Sequence, residues 1–461
     1  MSMDRRRLVR WTGYLPYLVP VLCVAAAVTL RPSGRLGPPD AAPWIDQLIY
    51  DDNDVAAYAL RAWNAALGRP AGRYDAPARS GDYARALTED RTPVDRYYLE
   101  YPHAALVLFR IPFLFQPDAP AAPAALLDGA HEDIVSHKPN ASQSAVWQRF
   151  HKFAVAFMVI VVAVQVALVG VLAVGYQSGG GLSYRGLLLI LPGALFFSLN
   201  RFDVVPALLT ALSFASVGRR WYRAAAVFLA AGALVKVYPL LLAPLVLRYL
   251  QSTAPREAGR WSIAFAGTLL AFLGPATLTW DGDQVLAPYL VQLSRPQEGL
   301  TAYQYLIPID GLRDQLAGNG IVGRLFRLGS LGAVMTLMLL RPITELEGVL
   351  RRGTVVLVAF ISLSVFYSPQ WILWLTPLVL PLAGRYPRLV PLLAVLDLAT
   401  WGQWPVACHL AQVFEVERFT RDALLTVLAF ARFAALGLLL RDLLRADRVP
   451  SAEMQVRAAL A

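Results

Sequence analysis

Apolar runs recur from one end of this 461-residue chain to the other. They lie at about 151–175, 186–199, 202–217, 224–250, 261–280, 323–341, 353–384, 388–407 and 423–441, behind a first run at Trp11–Leu30. A helix rises about 1.5 Å per residue, so about 20 apolar residues cross a hydrocarbon core roughly 30 Å thick. In lipid the backbone polar groups must be satisfied without water, which leaves helices or a closed barrel, and runs this long read as helices. The expectation is an all-α polytopic membrane protein with about 10–12 transmembrane helices. Composition agrees. Charged residues make up 16% of the chain and hydrophobic ones 57%, with a mean hydropathy of +0.48, whereas soluble domains average about 25% charged.

The net charge of +10 has its arginines mainly between the apolar runs. That is the pattern of the positive-inside rule, and no nucleic-acid motif accompanies it. Arg5, Arg6, Arg7 and Arg10 precede the first run, which has spanning length and no small-residue cleavage site. It reads as a retained first helix with a cytoplasmic N-terminus. Residues 1–30 then form that terminus and helix. Residues 31–150 form an extracytoplasmic region with interfacial helices or one short span. Residues 151–441 form the multi-span domain with an external loop at 281–322, and 442–461 a cytoplasmic tail. Cys23 and Cys408 have no CxxC partner, and His131, His137 and His151 lack metal-site spacing. Neither a metal nor a cofactor is expected. The absence of a P-loop, GxSxG or GxGxxG argues against NTPase and hydrolase readings.

Residues 200–244 stand out, because a mostly apolar stretch carries Asn200, Arg201, Asp203 and Lys236. An ionisable group at bilayer depth costs about 2.5–3.5 kcal/mol on insertion scales, so such groups mark cavities or charged ligands. The run 224–250 has Arg219, Arg220 and Arg223 on one side and Arg248, Arg256 and Arg260 on the other. If both flanks share one membrane face, the chain reverses between them, and Lys236-Val237-Tyr238-Pro239 is the natural break. A single kinked helix is the alternative. Lys236 has no acid nearby in sequence, which favours an anionic head group as its partner over simple snorkelling. Arg201 and Asp203 read either as a structural pair or as ligand contacts.

Four further clusters are polar. Asp51, Asp54, Tyr58 and Arg61 fall on one helical face, where Asp54 serves either as a general base or as a first-turn acid favoured by the helix dipole. Arg96–His103 places Glu100 among Tyr97, Tyr98 and Tyr101, which suits a sugar site or a membrane interface. Arg295 and Glu298 sit in the 281–322 loop, offering a cation for phosphate and an acid for hydroxyls. Tyr367-Ser368-Pro369-Gln370-Trp371 marks a proline break between apolar stretches.

Taken together, these elements resemble glycosyltransferase family 87, within the GT-C class of membrane glycosyltransferases. Asp54, Tyr58, Gly68 and Tyr101-Pro102 match its first-loop pattern. Gly232, Lys236, Tyr238, Pro239 and Leu240–Leu242 resemble its G…K-x-Y-P-L-L-L element, with slightly altered glycine spacing. Arg295–Glu298 and Ser368–Trp371 resemble later stretches, so the likeness extends over most of the chain. It implies a GT-C fold and a polyprenyl-phosphate sugar donor, typically of mannose. It also implies inverting transfer to a lipid or glycan acceptor on the outer face of the cell membrane, without metal. Asp54 would be the base, and Lys236, with Arg201 or Arg295, would hold the phosphate. Tyr58, Glu100, Asp203, Tyr238 and Glu298 would line the substrate site. The chain departs from the pattern where Asp51 and Asp52 crowd Asp54 and where residues 75–97 are unusually charged, so the base and the acceptor stay open. A transporter or flippase of a lipid-linked glycan explains the same embedded cations without using Asp54.

Overall fold

The computed structural model describes residues 14–25, 58, 102–115, 144–175, 185–279, 300–318, 320–410 and 416–448. Among them the regular elements are all helical. In chain order they are α1 (Tyr14–Ala25), α2 (His103–Arg110), α3 (Ser144–Gly175), α4 (Pro192–Asn200) and α5 (Val204–Gly218). Then come α6 (Tyr222–Val235), α7 (Ala243–Thr253), α8 (Pro255–Thr279), α9 (Ala302–Leu306) and α10 (Asp310–Ala317). The series ends with α11 (Ile321–Leu340), α12 (Leu346–Leu363), α13 (Ile372–Leu382), α14 (Leu389–Trp401) and α15 (Arg418–Arg448).

Among the described residues, four helices are long and apolar enough to cross a membrane: Lys152–Val174, Ile321–Leu340, Leu389–Cys408 and Arg418–Ala446. A fifth span arises if α4 and α5, bent by 106° across residues 201–203, are taken as one. Tyr14–Ala25, Tyr222–Val235 and Pro369–Leu382 are apolar but shorter. The expected 10–12 spans treat each apolar run as continuous. The chain instead breaks several of them. The run 353–384 divides at Ser364–Ser368, where Pro369 opens a 3₁₀ turn, and the run 224–250 divides at Lys236.

At Lys236 the backbone turns extended (φ −150°, ψ 136°), and Tyr238–Leu242 forms a 3₁₀ turn with Pro239 in its first positions. The chain then reverses. A β-carbon on Gly232 would lie 3.3 Å from Pro239 Cγ and 3.4 Å from Leu209 Cβ, so a larger residue here would have to push the turn back by a few tenths of an ångström. Tyr222, at the start of α6, is within electrostatic reach of Tyr249 and Glu257, at the end of α7 and the start of α8. The expected hairpin therefore forms, with Lys236 at its tip and both arginine-rich flanks at its base.

Helix ends within this apolar bundle need partners for their orphan backbone groups. Arg352 donates to Met338 O and Arg341 O, each at 2.8 Å, closing the end of α11. Arg327 does the same for α10 through Leu316 O, Ala317 O and Gly318 O, all at 2.9 Å. At the start of α4, buried Asp397 of α14 accepts from Gly193 N at 2.9 Å and Ala194 N at 2.6 Å. A carboxylate at a helix N-terminus meets both the free N–H groups and the positive end of the dipole. This contact aims α4, and through it the bend that follows.

A β-carbon on Gly193 would fall 2.8 Å from Asp397 O and 2.9 Å from its Oδ2. Gly193→Ala is therefore expected to destabilise the protein by about 1–3 kcal/mol, as overpacking does. The readout is a lower thermal unfolding midpoint in detergent. Gly170→Ala, where a β-carbon meets nothing within 4 Å, should leave that midpoint unchanged or raised.

Candidate functional site

Three breaks in apolar helices converge on one place. The α4–α5 bend supplies Asn200, Arg201, Phe202 and Asp203. The hairpin tip supplies Lys236 and Tyr238, and the start of α13 supplies Trp374. Lys236 Nζ lies 3.4 Å from Asp203 Oδ1, and Trp374 Nε1 donates to the same oxygen at 2.8 Å. The ammonium also sits over two rings, 4.7 Å from the centroid of Phe202 and 5.9 Å from that of Trp374. Asp203 is fully buried, and the Lys236 side chain keeps 15% exposure.

Lys236 thus has an acid partner after all, 33 positions earlier in the chain, in place of the ligand-only partner its local sequence implies. Desolvating two charges costs several kcal/mol per ion, and their attraction offsets this only with good geometry and further polar contacts. Here the indole N–H and the two aromatic faces supply those contacts. Arg201, 8% exposed, is close enough to Lys236 to repel it. Asp203 Oδ2 has no hydrogen-bond partner among the described residues. Asn200 turns its amide back onto Phe196 O at 2.8 Å, closing the last turn of α4.

The aromatic wall is continuous. Tyr238 stacks on Trp374 at 4.4 Å and shares a hydrogen bond with Thr210 at 3.2 Å. Tyr238 is 2% exposed. Tyr58 stacks on Phe109 at 4.5 Å and meets Phe202 edge-on at 5.5 Å. Tyr58 therefore reaches the ring that covers Lys236. Of the residues singled out in the sequence, Tyr58, Arg201, Asp203, Lys236 and Tyr238 come together here. Asp54, Glu100, Arg295 and Glu298 lie outside the described residues.

Two contributors escaped the reading of the sequence. Trp374 looks like any aromatic in an apolar run, and only the fold brings it to Asp203. Asp397 carried a signal that went unread, because it is a lone carboxylate in the run 388–407.

No protein-family model matches the chain, and neither does any curated protein or solved structure compared with it.

Removing one member of the ion pair should cost more than removing both, since the survivor is left buried and uncompensated. Asp203→Asn and Lys236→Met are each expected to destabilise by about 3–5 kcal/mol. The double variant should fall well short of their sum. A double-mutant cycle of unfolding free energies in detergent micelles checks this, and strict additivity would mean that the two groups do not interact.

Proposed function

We propose that the chain is an integral membrane glycosyltransferase of the GT-C class. In this reading it transfers a sugar, with mannose the first to test, from a polyprenyl-phosphate donor to a cell-envelope glycolipid or glycan. The observation that carries the reading is the buried Asp203–Lys236 pair at the tip of a membrane hairpin, with Arg201 as a second cation beside it. A leaving phosphate keeps its charge in an apolar medium, and cationic side chains at that depth are the groups suited to receive it.

Depth agrees with this use. α5 has 15 residues and α6 has 14, so each spans about 21–22 Å from the basic turn at Arg219–Arg223 to the site. That is less than the roughly 30 Å of hydrocarbon. If the basic turn and the N-terminus are cytoplasmic, the site lies about 8–9 Å inside the outer edge of the hydrocarbon, beneath the head groups.

The step balances with one protein base. The acceptor hydroxyl oxygen attacks the anomeric carbon from the face opposite the phosphate. The bond from that carbon to the phosphate oxygen breaks, and polyprenyl phosphate leaves with the electron pair. The hydroxyl proton passes to Asp54. Phosphate needs little protonation to leave, so the paired carboxylates of glycoside hydrolysis are not required. Asp54 precedes Tyr58 by four positions, a chain reach of at most about 14 Å, and Tyr58 is packed against Phe202. Asp203 holds Lys236 in place, while Lys236 and Arg201 receive the phosphate. Arg295, Glu100 and Glu298 are assigned to phosphate and sugar hydroxyls by the sequence resemblance.

The test is transfer of radiolabelled mannose from polyprenyl-phosphate mannose in membranes expressing wild type or Asp54→Asn. Wild type should label a new envelope product, and Asp54→Asn should lose about 10²–10⁴-fold, as removal of a general base does. Equal transfer by both would remove Asp54 from the chemistry. If wild type also leaves arabinose and other pentose donors intact, the enzyme reading fails. Carriage of a lipid-linked glycan would then take its place.

A further inference from the structure

A second cation is buried deeper than the first. Arg432, on α15, is 0% exposed. Its Nη1 donates to Gln403 Oε1 at 2.6 Å, and its Nη2 donates to the carbonyl of Leu300. The guanidinium lies 3.6 Å from the ring centroid of Tyr367 and 4.6 Å from that of Phe433. No carboxylate appears among these contacts, and protein acceptors and rings occupy the group on several sides. The arrangement is that of a fastener and not of an open anion site.

What it fastens is unusual. Leu300 has φ 66°, a left-handed conformation that a β-carbon disfavours and that persists only where surroundings hold it. Both of its backbone groups are held: its N–H donates to Gln304 Oε1 at 2.8 Å, and its carbonyl accepts from Arg432. Nearby, Tyr303 donates to Leu363 O at 2.8 Å, at the end of α12. The chain at Leu300–Tyr303 is thus pinned to the bundle at the end of α12 and by α15.

From Arg432 a line of aromatic contacts runs to the ion pair. Tyr367 meets Trp371 edge-on at 6.1 Å, Trp371 stacks on Trp374 at 4.8 Å, and Trp374 donates to Asp203. We infer that Arg432 is a positioning residue that latches the chain at Leu300 and ties it to the aromatic line ending on Asp203. Its meaning rests on the proposed function, in which Asp203 and Lys236 order the donor site. The latch itself can be tested without substrate.

Thr301 is 2% exposed and adjoins the latch. In full-length protein carrying Cys23→Ala and Cys408→Ala, Thr301→Cys should react slowly with a maleimide in detergent. Adding Arg432→Met should speed that labelling roughly tenfold or more, because a buried hydrogen bond from a charged donor has been lost. Arg432→Lys should fall between, since it keeps the charge but not the fork. The control is Ser213→Cys, at a site 0% exposed between α5 and α6, where Ser213 donates to Ala225 O. Labelling at this control should not change. Unchanged labelling at Thr301→Cys, or an equal rise at Ser213→Cys, would overturn the latch. Should Arg432→Met fail to fold, Gln403→Glu keeps an acceptor for Arg432 and loses only the amide donor to Leu425 O, so it should leave Thr301→Cys labelling slow, whereas Gln403→Leu should speed it a few-fold; no difference between the two would equally overturn the latch. Because substrate is absent, this result is separate from mannose transfer. A latched loop with no transfer would refute the enzyme reading alone.

Discussion

A carboxylate and an ammonium 3.4 Å apart, both largely withdrawn from water, fix the geometry of everything around them. Asp203 stands where α5 begins and Lys236 where α6 ends, so the pair ties together the two ends of a helical hairpin. The same carboxylate oxygen takes the Trp374 indole N–H, which brings α13 into the contact. Trp374 in turn stacks on Tyr238, whose hydroxyl meets Thr210 on α5. Each of these contacts presupposes the others. An isolated charge here would carry the full desolvation cost, and the pair, the indole and the rings together make the position tenable.

Water is scarce in such a bundle, so polar side chains are used mostly to finish the backbone. Arg352 and Arg327 close the carbonyl ends of α11 and α10, and Asp397 closes the amide end of α4. Cations at helix C-termini and an anion at an N-terminus also match the helix dipoles. Against that background, the Arg201–Asp203–Lys236 cluster differs in kind. Lys236 ends α6 as its C-cap residue, its ammonium meets Asp203 and two rings, and Asp203 Oδ2 has no hydrogen bond among the described residues.

Much of this was legible in the sequence where one short stretch dictates the outcome. Proline after Lys236-Val237-Tyr238 forces a break, and arginines on both flanks require the two arms to end together. The structure adds why Gly232 belongs to the same pattern, since Pro239 folds onto it. The α4–α5 bend was not legible. Asn200-Arg201-Phe202-Asp203 contains neither proline nor glycine, and the bend follows from distant contacts such as Asp397 on Gly193 and Ala194. Pairing was hidden for the same reason. Asp203 and Lys236 look unrelated along the chain, and only the antiparallel course of α5 and α6 brings them face to face. Apolar composition reports where the chain is buried and does not report where it bends.

The convergence of breaks explains how a membrane bundle can host charged chemistry at all. An unbroken helix presents only side chains, whereas a broken one also opens space and lets its flanking residues point into it. Three such breaks meet here, at residues 201–203, 236–239 and 364–368. Each brings a different resource: a carboxylate with an arginine, an ammonium, and a run of aromatic faces. Tyr58 joins that meeting point through Phe109 and Phe202. Charged groups drawn from separate breaks, packed among rings and one indole N–H, make a polar centre that no single apolar run could hold in lipid.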